Sequence, residues 1–386
     1  MKQLISFKQS QRFHFYLIAI GWIIFQLYFF FRFGIGTNLE ATKYIDQANL
    51  LLDSGNYSSG NYLFYSTEIL LIALSKKLHT GYELVVAVQL LFNAVSVYCF
   101  YYLVIHLKNN KGLAFIFTAI FLSMIYYHLY NVYLFTESLY FSFSIIYTYL
   151  LFRIKKLSFK NIAIIIFVLA ALYFTRPVGL FFIPATIVFI ILKFFSKNVL
   201  RLFLFTGIIG IILLYFLINY SLNSGGELDF LLPYLDERII CGVPTISTAH
   251  QINVPVEKDS IEGLWFIISH NWNLFIRLSL KRLFAFFGVV RTYYSLAHNL
   301  FIAFYFYTLY IMILLGIPKL FKRFLPEAIF MISIIFFTAI TVMLSCDEWH
   351  NRFILAVLPF FLLISVSFFI DKKKPHNNYD QQKTLR

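Results

Sequence analysis

Long apolar runs constrain this sequence more than any other feature. About ten of them, each of about 17–25 residues, follow one another along the 386-residue chain. A helix needs about 20 apolar residues to cross a bilayer, where its backbone groups must bond within the helix. The chain is 60% hydrophobic and 13% charged, against about 45–50% and about 25% in soluble domains. The sequence therefore predicts an all-α polytopic membrane protein and excludes a soluble enzyme, a disordered tail and a fibrous protein.

The apolar runs give the positions of the predicted spans. We place them near residues 13–31, 82–105, 112–130, 133–152, 161–175, 178–195, 202–221, 298–317, 326–345 and 352–371. The first run is long enough to span and is followed by no small-residue cleavage site, so we predict no cleavable signal peptide.

The Lys and Arg residues give the orientation of these spans. With a cytoplasmic N-terminus, 20 of the 32 basic residues lie inside with three acids, and 12 basic and 15 acidic residues lie outside. Membrane insertion favours this excess of positive charge on the cytoplasmic side. The net charge of +14 is explained by these clusters, so we predict no nucleic-acid partner. Short loops favour a bacterial inner membrane, with both termini in the cytoplasm.

Two short segments of the first external loop are predicted to be surface helices. The segment 65–78 has only about 14 residues and carries Glu68, Lys76 and Lys77. Counting it as a span would invert the orientation of everything downstream, so we expect it to lie at the outer interface. The amphipathic segment 41–54 is the second such helix.

A second external region follows the seventh span. Its polar part, 223–260, leads into a half-apolar helical part in which the basic residues over 277–291 are interpreted as snorkelling among headgroups. The predicted organisation is a transmembrane catalytic module over 1–221 with the first external loop 32–81, an external loop with an interfacial helix over 222–297, C-terminal transmembrane helices over 298–371 and a cytoplasmic basic tail over 372–386.

Ionisable side chains beside apolar segments are costly in a membrane, so each invites a functional interpretation. Several separated segments bring such residues to the external side. They are Glu40 at the start of the first surface helix, Glu137 at the outer start of a span, Arg176 before Pro177, and residues 346–353, which read CDEWHNRF. This convergence predicts a site at the external face.

Each of these residues has a chemical interpretation and a structural one. Glu40 is either a first-turn acid favoured by the helix dipole or a general base. Glu137 is either catalytic or the buried partner of Arg176 in an ion pair. Arg176 suits a phosphate at headgroup depth, because a guanidinium binds phosphate oxygens through two parallel hydrogen bonds. His350 and Arg352 form a second donor pair for a lipid phosphate, or belong to a solvated loop.

Metal and cysteine chemistry receive little support from the sequence. A divalent metal held by Asp347, Glu348 and His350 is a weak alternative, because two adjacent acids rarely point at one ion. No other cofactor is indicated, since Gly-rich phosphate loops, HExxH and GxSxG are absent. Cys241 and Cys346 could meet outside the membrane, and the sequence leaves open whether they pair.

Four short patterns resemble the polyprenyl-phosphate-sugar-dependent membrane glycosyltransferases of the GT-C class, which include protein mannosyltransferases and aminoarabinose transferases. They occur in the same order and cover residues from about 13 to 371. The first pattern is an acid followed by Y-x3-A-x2-L-x2-G, and in this chain it reads Glu40-x3-Tyr44-x3-Ala48-x2-Leu51-Leu52-x2-Gly55. The other three are Thr136-Glu137-Ser138, Thr175-Arg176-Pro177, and His350-Asn351-Arg352-Phe353 with Pro359.

The resemblance implies inverting transfer of a sugar from a polyprenyl-phosphate donor at the external face, with a glycan, lipid or protein hydroxyl as acceptor. Glu40 would take the acceptor's proton, and cations would stabilise the departing phosphate. The implied site comprises Glu40 and Glu137 as catalytic carboxylates, Arg176, His350, Arg352 and Arg291 as donor-phosphate ligands, and Tyr44, Asp347 and Glu348 in substrate binding.

Two other classes of function stay open at this point. An O-antigen or capsule polymerase or ligase would use a diphosphate-linked oligosaccharide and would depend on arginines of the large external loop, whose polar half has only Arg238 and Lys258 as basic residues. A lipid flippase or transporter would show repeat symmetry and charges near the middle of the membrane, and the sequence shows neither.

Overall fold

The computed structural model describes most of the chain. The described residues are 2–195, 212, 215, 216, 219, 220, 233, 234, 236–243, 253, 260–348 and 350–371, with the side chains of 2–11 not included. Among them are fourteen α-helices and one two-stranded parallel ladder. The predicted all-α class is confirmed. The predicted span 202–221, the polar stretch 223–260 and the tail 372–386 lie largely or wholly outside the described residues.

Nine helices form the first part of the chain. They are α1 (Lys2–Phe33), α2 (Glu40–Ser54), α3 (Ser66–Lys77), α4 (Glu83–Leu107), α5 (Lys111–Ser123), α6 (Ile125–His128), α7 (Thr136–Arg153), α8 (Phe159–Tyr173) and α9 (Phe182–Phe194). Three short 3-10 turns lie between them, at Gly60–Tyr65, Leu129–Val132 and Pro177–Phe181.

Five helices and two short strands form the second part. They are β1 (Ile240–Cys241), α10 (Ile261–His270), α11 (Trp272–Gly288), α12 (Leu296–Arg323), α13 (Leu325–Leu344), β2 (Asp347–Glu348) and α14 (Arg352–Ser365), followed by a 3-10 turn at Val366–Phe369.

Six helices in the described part of the chain are long and apolar enough to cross a membrane. They are Arg12–Phe33, Glu83–Leu107, Pro177–Phe194, Leu296–Arg323, Leu325–Leu344 and Arg352–Phe369. The chain is therefore an integral membrane protein, and six of the predicted spans coincide with such helices.

Three further predicted spans, all within the described residues, differ from straight apolar helices. The run 112–130 is broken by a 69° bend between α5 and α6. The run 161–175 becomes α8, which has 15 residues. The run 133–152 becomes α7, whose 18 residues include Glu137 and Arg153 and are less apolar than a typical span.

Both segments predicted as surface helices are helical, as α2 and α3. Helix α2 buries residues spaced along one face, including Ala41, Tyr44 and Ala48, and ends at Gly55, whose φ of 74° is a left-handed value that favours glycine. The Tyr44 ring packs 5.6 Å from the ring of Tyr65, at the start of α3.

Helix α14 is the centre of the helical bundle. Every side chain from Arg352 to Ser365 is buried, as expected for a helix that is apolar on all sides and surrounded by protein. Helices α12, α13 and α11 pack around it, together with α7 and α4. The first residue of this central helix, Arg352, is consequently enclosed by protein.

The basic helix after residue 260 departs from its predicted form. It breaks near Asn271, and α11 ends at Gly288, so Arg291 lies beyond it. The interpretation of its arginines as snorkelling is wrong for two of them. Arg291 is buried, and Arg282 is fully buried, with its guanidinium donating to the carbonyls of Pro233 at 2.9 Å and Arg238 at 2.8 Å. Backbone carbonyls thus replace the headgroups as partners of Arg282.

A close helix contact gives the first prediction. A Cβ on Gly316 of α12 would lie 2.5 Å from the backbone N of Phe368 and 2.8 Å from the carbonyl C of Ser367, so Gly316→Ala should lower the free energy of unfolding by about 1–3 kcal/mol. Gly21→Ala in α1 is the matched control, because its Cβ would meet nothing within 4 Å. Thermal unfolding of both variants in one detergent measures the difference. Equal melting temperatures would contradict the close packing of α12 on the 3-10 turn Val366–Phe369.

Candidate functional site

A single backbone contact aligns the two glutamates that the sequence singles out. Gly36 and Tyr133 form a parallel bridge, in which the Gly36 N–H donates to Val132 O at 2.8 Å and the Leu134 N–H donates to Gly36 O at 3.0 Å. A Cβ at position 36 would collide with the Tyr133 ring, so only glycine permits this approach. Glu40 and Glu137 each follow their bridge residue by four positions. Helices α2 and α7 therefore begin side by side.

Arg352 joins these glutamates from the opposite direction. Its Nη1 donates to Glu40 Oε2 at 2.6 Å and to Glu137 Oε1 at 2.7 Å. Its Nη2 donates to Glu40 Oε1 at 2.8 Å and to Glu348 Oε2 at 3.2 Å. The pair with Glu40 is bidentate, which is the strong and directional form of an arginine–carboxylate contact.

Arg176 completes the group. It lies at the break after α8, and its Nη1 donates to Glu137 Oε1 at 2.7 Å, with both side chains at most 3% exposed. The ion pair of Glu137 and Arg176, which the sequence left open beside a catalytic role for Glu137, is thus present in the structure. We call these residues the acid–arginine cluster, which comprises Glu40, Glu137, Glu348, Arg176 and Arg352.

The charges of this cluster are nearly balanced. Three carboxylates face two guanidinium groups, and Lys43 Nζ lies 3.8 Å from Glu40 Oε1. Burial alone would raise the pKa of Glu40, but the hydrogen bonds and charge of Arg352, helped by Lys43 and Arg176, outweigh it and lower that pKa to about 2. Glu40 is therefore ionised and tightly held.

A second buried pair lies next to the cluster in sequence. Arg291 Nη2 donates to Asp347 Oδ2, and both side chains are at most 1% exposed. Burial raises the pKa of Asp347 to about 7 even though the Arg291 charge opposes it. Strand β2, which carries Asp347, is paired with β1, and the preceding Cys346 forms a disulfide with Cys241. The question of whether these cysteines pair is thereby answered.

The remaining predicted site residues lie near the cluster in different ways. His350 is exposed, two residues before Arg352. Tyr44 is fully buried one helical turn after Glu40. Asp347 and Glu348 point to different arginines, and within the described residues no group of three or more His, Cys, Asp or Glu side chains could hold a metal ion.

A cavity of about 330 Å³ adjoins the cluster. Two of its lining residues, Leu39 and Asn351, directly precede Glu40 and Arg352, and both have left-handed φ values, 59° and 57°. A positive φ is costly for leucine, and residues strained in this way cluster at active sites, whereas asparagine adopts it readily. We call this space of about 330 Å³ the aromatic cavity. It is lined by Leu39, Tyr126, Leu129, Tyr130, Tyr133, Phe135, Tyr294, His298, Ile302, His350, Asn351 and Leu355.

The chain was compared with protein-family models, curated proteins and solved structures. It matches none of them.

One further buried acid lies beside the cluster and is not among the predicted site residues. Glu68 of α3 is fully buried, and its Oε1 accepts from Gln89 Nε2 at 3.2 Å. Burial raises the pKa of Glu68 to about 8, Gln89 opposes the shift, and the charge of Glu137 adds to it. Its signal in the sequence is a single acid within an apolar helix.

The burial of Glu68 predicts a pH dependence of stability. The folded protein keeps a proton that the unfolded chain, with a carboxyl pKa near 4.5, releases. Stability should therefore fall as the pH rises from about 4.5 to about 8, by up to about 1.4 kcal/mol per pH unit. Glu68→Gln removes this titration and should gain stability over the wild type as the pH rises. Thermal unfolding at several pH values measures the effect.

The matched control is Glu83→Gln, which changes an exposed glutamate at the start of α4. It should keep the pH profile of the wild type. Parallel profiles for Glu68→Gln and the wild type would mean that Glu68 is ionised in the folded protein.

Proposed function

We propose that this protein is a membrane glycosyltransferase of the GT-C type. It would transfer one sugar from a polyprenyl-phosphate donor to a hydroxyl of a glycan, lipid or protein acceptor in cell-envelope synthesis. One observation carries the proposal: Glu40, Glu137, Arg176 and Arg352 come from four separate family-like patterns, and their side chains meet in one buried cluster. Structural ion pairs alone do not require four such patterns to converge.

The donor phosphate would bind to Arg352 and Arg176. Because the acid–arginine cluster with Lys43 is already charge-balanced, an arriving phosphate competes with the carboxylates for the guanidinium groups. Glu40 is the carboxylate most open to exchange, since its side chain is 27% exposed and that of Glu137 is 0% exposed. Phosphate binding would release Glu40 from Arg352.

This exchange would also make Glu40 a better base. While Arg352 holds it, a pKa near 2 makes it a weak proton acceptor, and a base works best with a pKa near the working pH. After its release, Glu40 takes the proton of the acceptor hydroxyl as that oxygen attacks the anomeric carbon. The bond from this carbon to the phosphate oxygen breaks with inversion, and the electron pair leaves on the polyprenyl phosphate, where arginine charge stabilises it.

The cluster would face the outside of the cell. The excess of Lys and Arg on the other side supports this orientation. The disulfide between Cys241 and Cys346 supports it independently, because disulfides persist in oxidising compartments such as the bacterial periplasm. We accordingly propose the bacterial inner membrane, with both termini in the cytoplasm.

Replacement of Glu40 tests the proposal. Glu40→Gln keeps the shape of the side chain but cannot take a proton, so transfer of labelled sugar from polyprenyl-phosphate donors should fall by about 10²–10⁴-fold. Glu83→Gln is the matched control, because Glu83 is also an acid in the first turn of a helix. The assay uses purified protein in liposomes and follows loss of label from the donor lipid.

Two outcomes would contradict the assignment. Full activity of Glu40→Gln would remove Glu40 as the base. Transfer only from diphosphate-linked oligosaccharides, independent of Glu40, would indicate a polymerase or ligase instead.

A further inference from the structure

The aromatic cavity contains three stacked rings. His298, in the first turn of α12, lies between Tyr126 at 4.1 Å and Tyr294 at 3.9 Å, and the ring planes differ by only 5° and 8°. Ser295 accepts from the His298 backbone N–H at 3.3 Å and fixes the start of the helix. The imidazole is therefore held at the cavity wall by its two faces, and its edge is left for other contacts.

Two residues of the cavity lining each carry one buried polar atom without a hydrogen-bond partner among the described residues. They are Nε2 of His298 and Oδ1 of Asn351. Asn351 is 2% exposed, and its Nδ2 donates to Val289 O at 2.9 Å, which leaves the carbonyl oxygen unused. A buried polar atom without a partner destabilises the folded protein. A ligand that donates hydrogen bonds would recover this cost.

The rest of the lining favours a flat, partly apolar ligand. Tyrosine and phenylalanine rings line the cavity together with Leu129, Ile302 and Leu355. An isoprenoid chain would suit these side chains but would leave Asn351 and His298 unpaired. A sugar ring offers both hydroxyl donors and apolar C–H faces. The volume of about 330 Å³ is at the low end of small-molecule sites, about 300–1,000 Å³, and suits one ring rather than an oligosaccharide.

We propose that the aromatic cavity binds a single sugar ring, namely the one attached to the donor phosphate. Oδ1 of Asn351 and Nε2 of His298 accept hydrogen bonds from its hydroxyl groups. The assignment of this ring to the donor rests on the proposed function, because Asn351 directly precedes Arg352, the proposed phosphate ligand. Asn351 and His298 are thereby specificity-determining residues that the four family-like patterns do not assign to sugar binding.

Saturation-transfer NMR on the full chain in phospholipid nanodiscs tests this proposal. The probes are a panel of methyl hexopyranosides and methyl pentopyranosides, with geraniol as the isoprenoid probe. At least one glycoside should receive saturation at its ring protons. His298→Phe keeps a ring between the two tyrosines but removes the nitrogen, so glycoside binding should weaken about tenfold. His298→Gln returns a polar amide near the position of Nε2 and should restore part of the binding.

The matched control is His270→Phe. His270 of α10 also stacks on an aromatic ring, that of Phe266 at 3.8 Å, but it does not line the aromatic cavity. This variant should bind the glycosides like the wild type.

Three results would overturn the proposal: no glycoside of the panel binds the wild type, His298→Phe binds as well as the wild type, or geraniol alone depends on His298. Binding is measured without a donor phosphate and without transfer, so the two proposals fail separately. Glycoside binding with no Glu40-dependent transfer would refute the proposed function, and transfer with no glycoside binding would refute the sugar site.

Discussion

The site depends on the burial of one guanidinium group. Arg352 begins the central helix α14 with a side chain only 7% exposed, and it reaches carboxylates from α2, α7 and β2. Removing one partner of a buried ion pair costs about 3–5 kcal/mol, because the remaining charge stays buried without compensation. Helix α2, helix α7 and strand β2 are thus held in register by one side chain, and the geometry of the site follows from it.

The proposed mechanism requires Arg352 to exchange Glu40 for an arriving anion. Arg352 holds Glu40 in a form that is fully ionised and poorly basic, so an acid that is to act as a base must first lose this partner. Leu39, whose positive φ is costly for a leucine, directly precedes Glu40, so backbone strain lies beside one end of this contact. Binding of an anion at Arg352 and readiness of Glu40 are consequently linked in this account.

Much of the helical arrangement could be predicted from the sequence, because a bilayer requires long apolar helices and makes each charged side chain beside them conspicuous. Apolar length predicted the six long apolar helices, and the cost of isolated charges in apolar surroundings offered the pair of Glu137 and Arg176 as the alternative to a catalytic role for Glu137. The bend after α5 was not predicted because residues 112–130 contain no proline and no Asp, Glu, Lys or Arg. The position of His298 between Tyr126 and Tyr294 was not predictable, since it depends on contacts across more than 160 residues of sequence. The burial of Glu68 likewise depends on helices that pack from elsewhere in the chain.

Mass spectrometry of the lipids that copurify with the protein would identify the donor itself, because the cluster and the aromatic cavity are proposed to hold one lipid-linked sugar. We expect a polyprenyl monophosphate that carries one sugar. A diphosphate-linked oligosaccharide, or ordinary phospholipid alone, would contradict it.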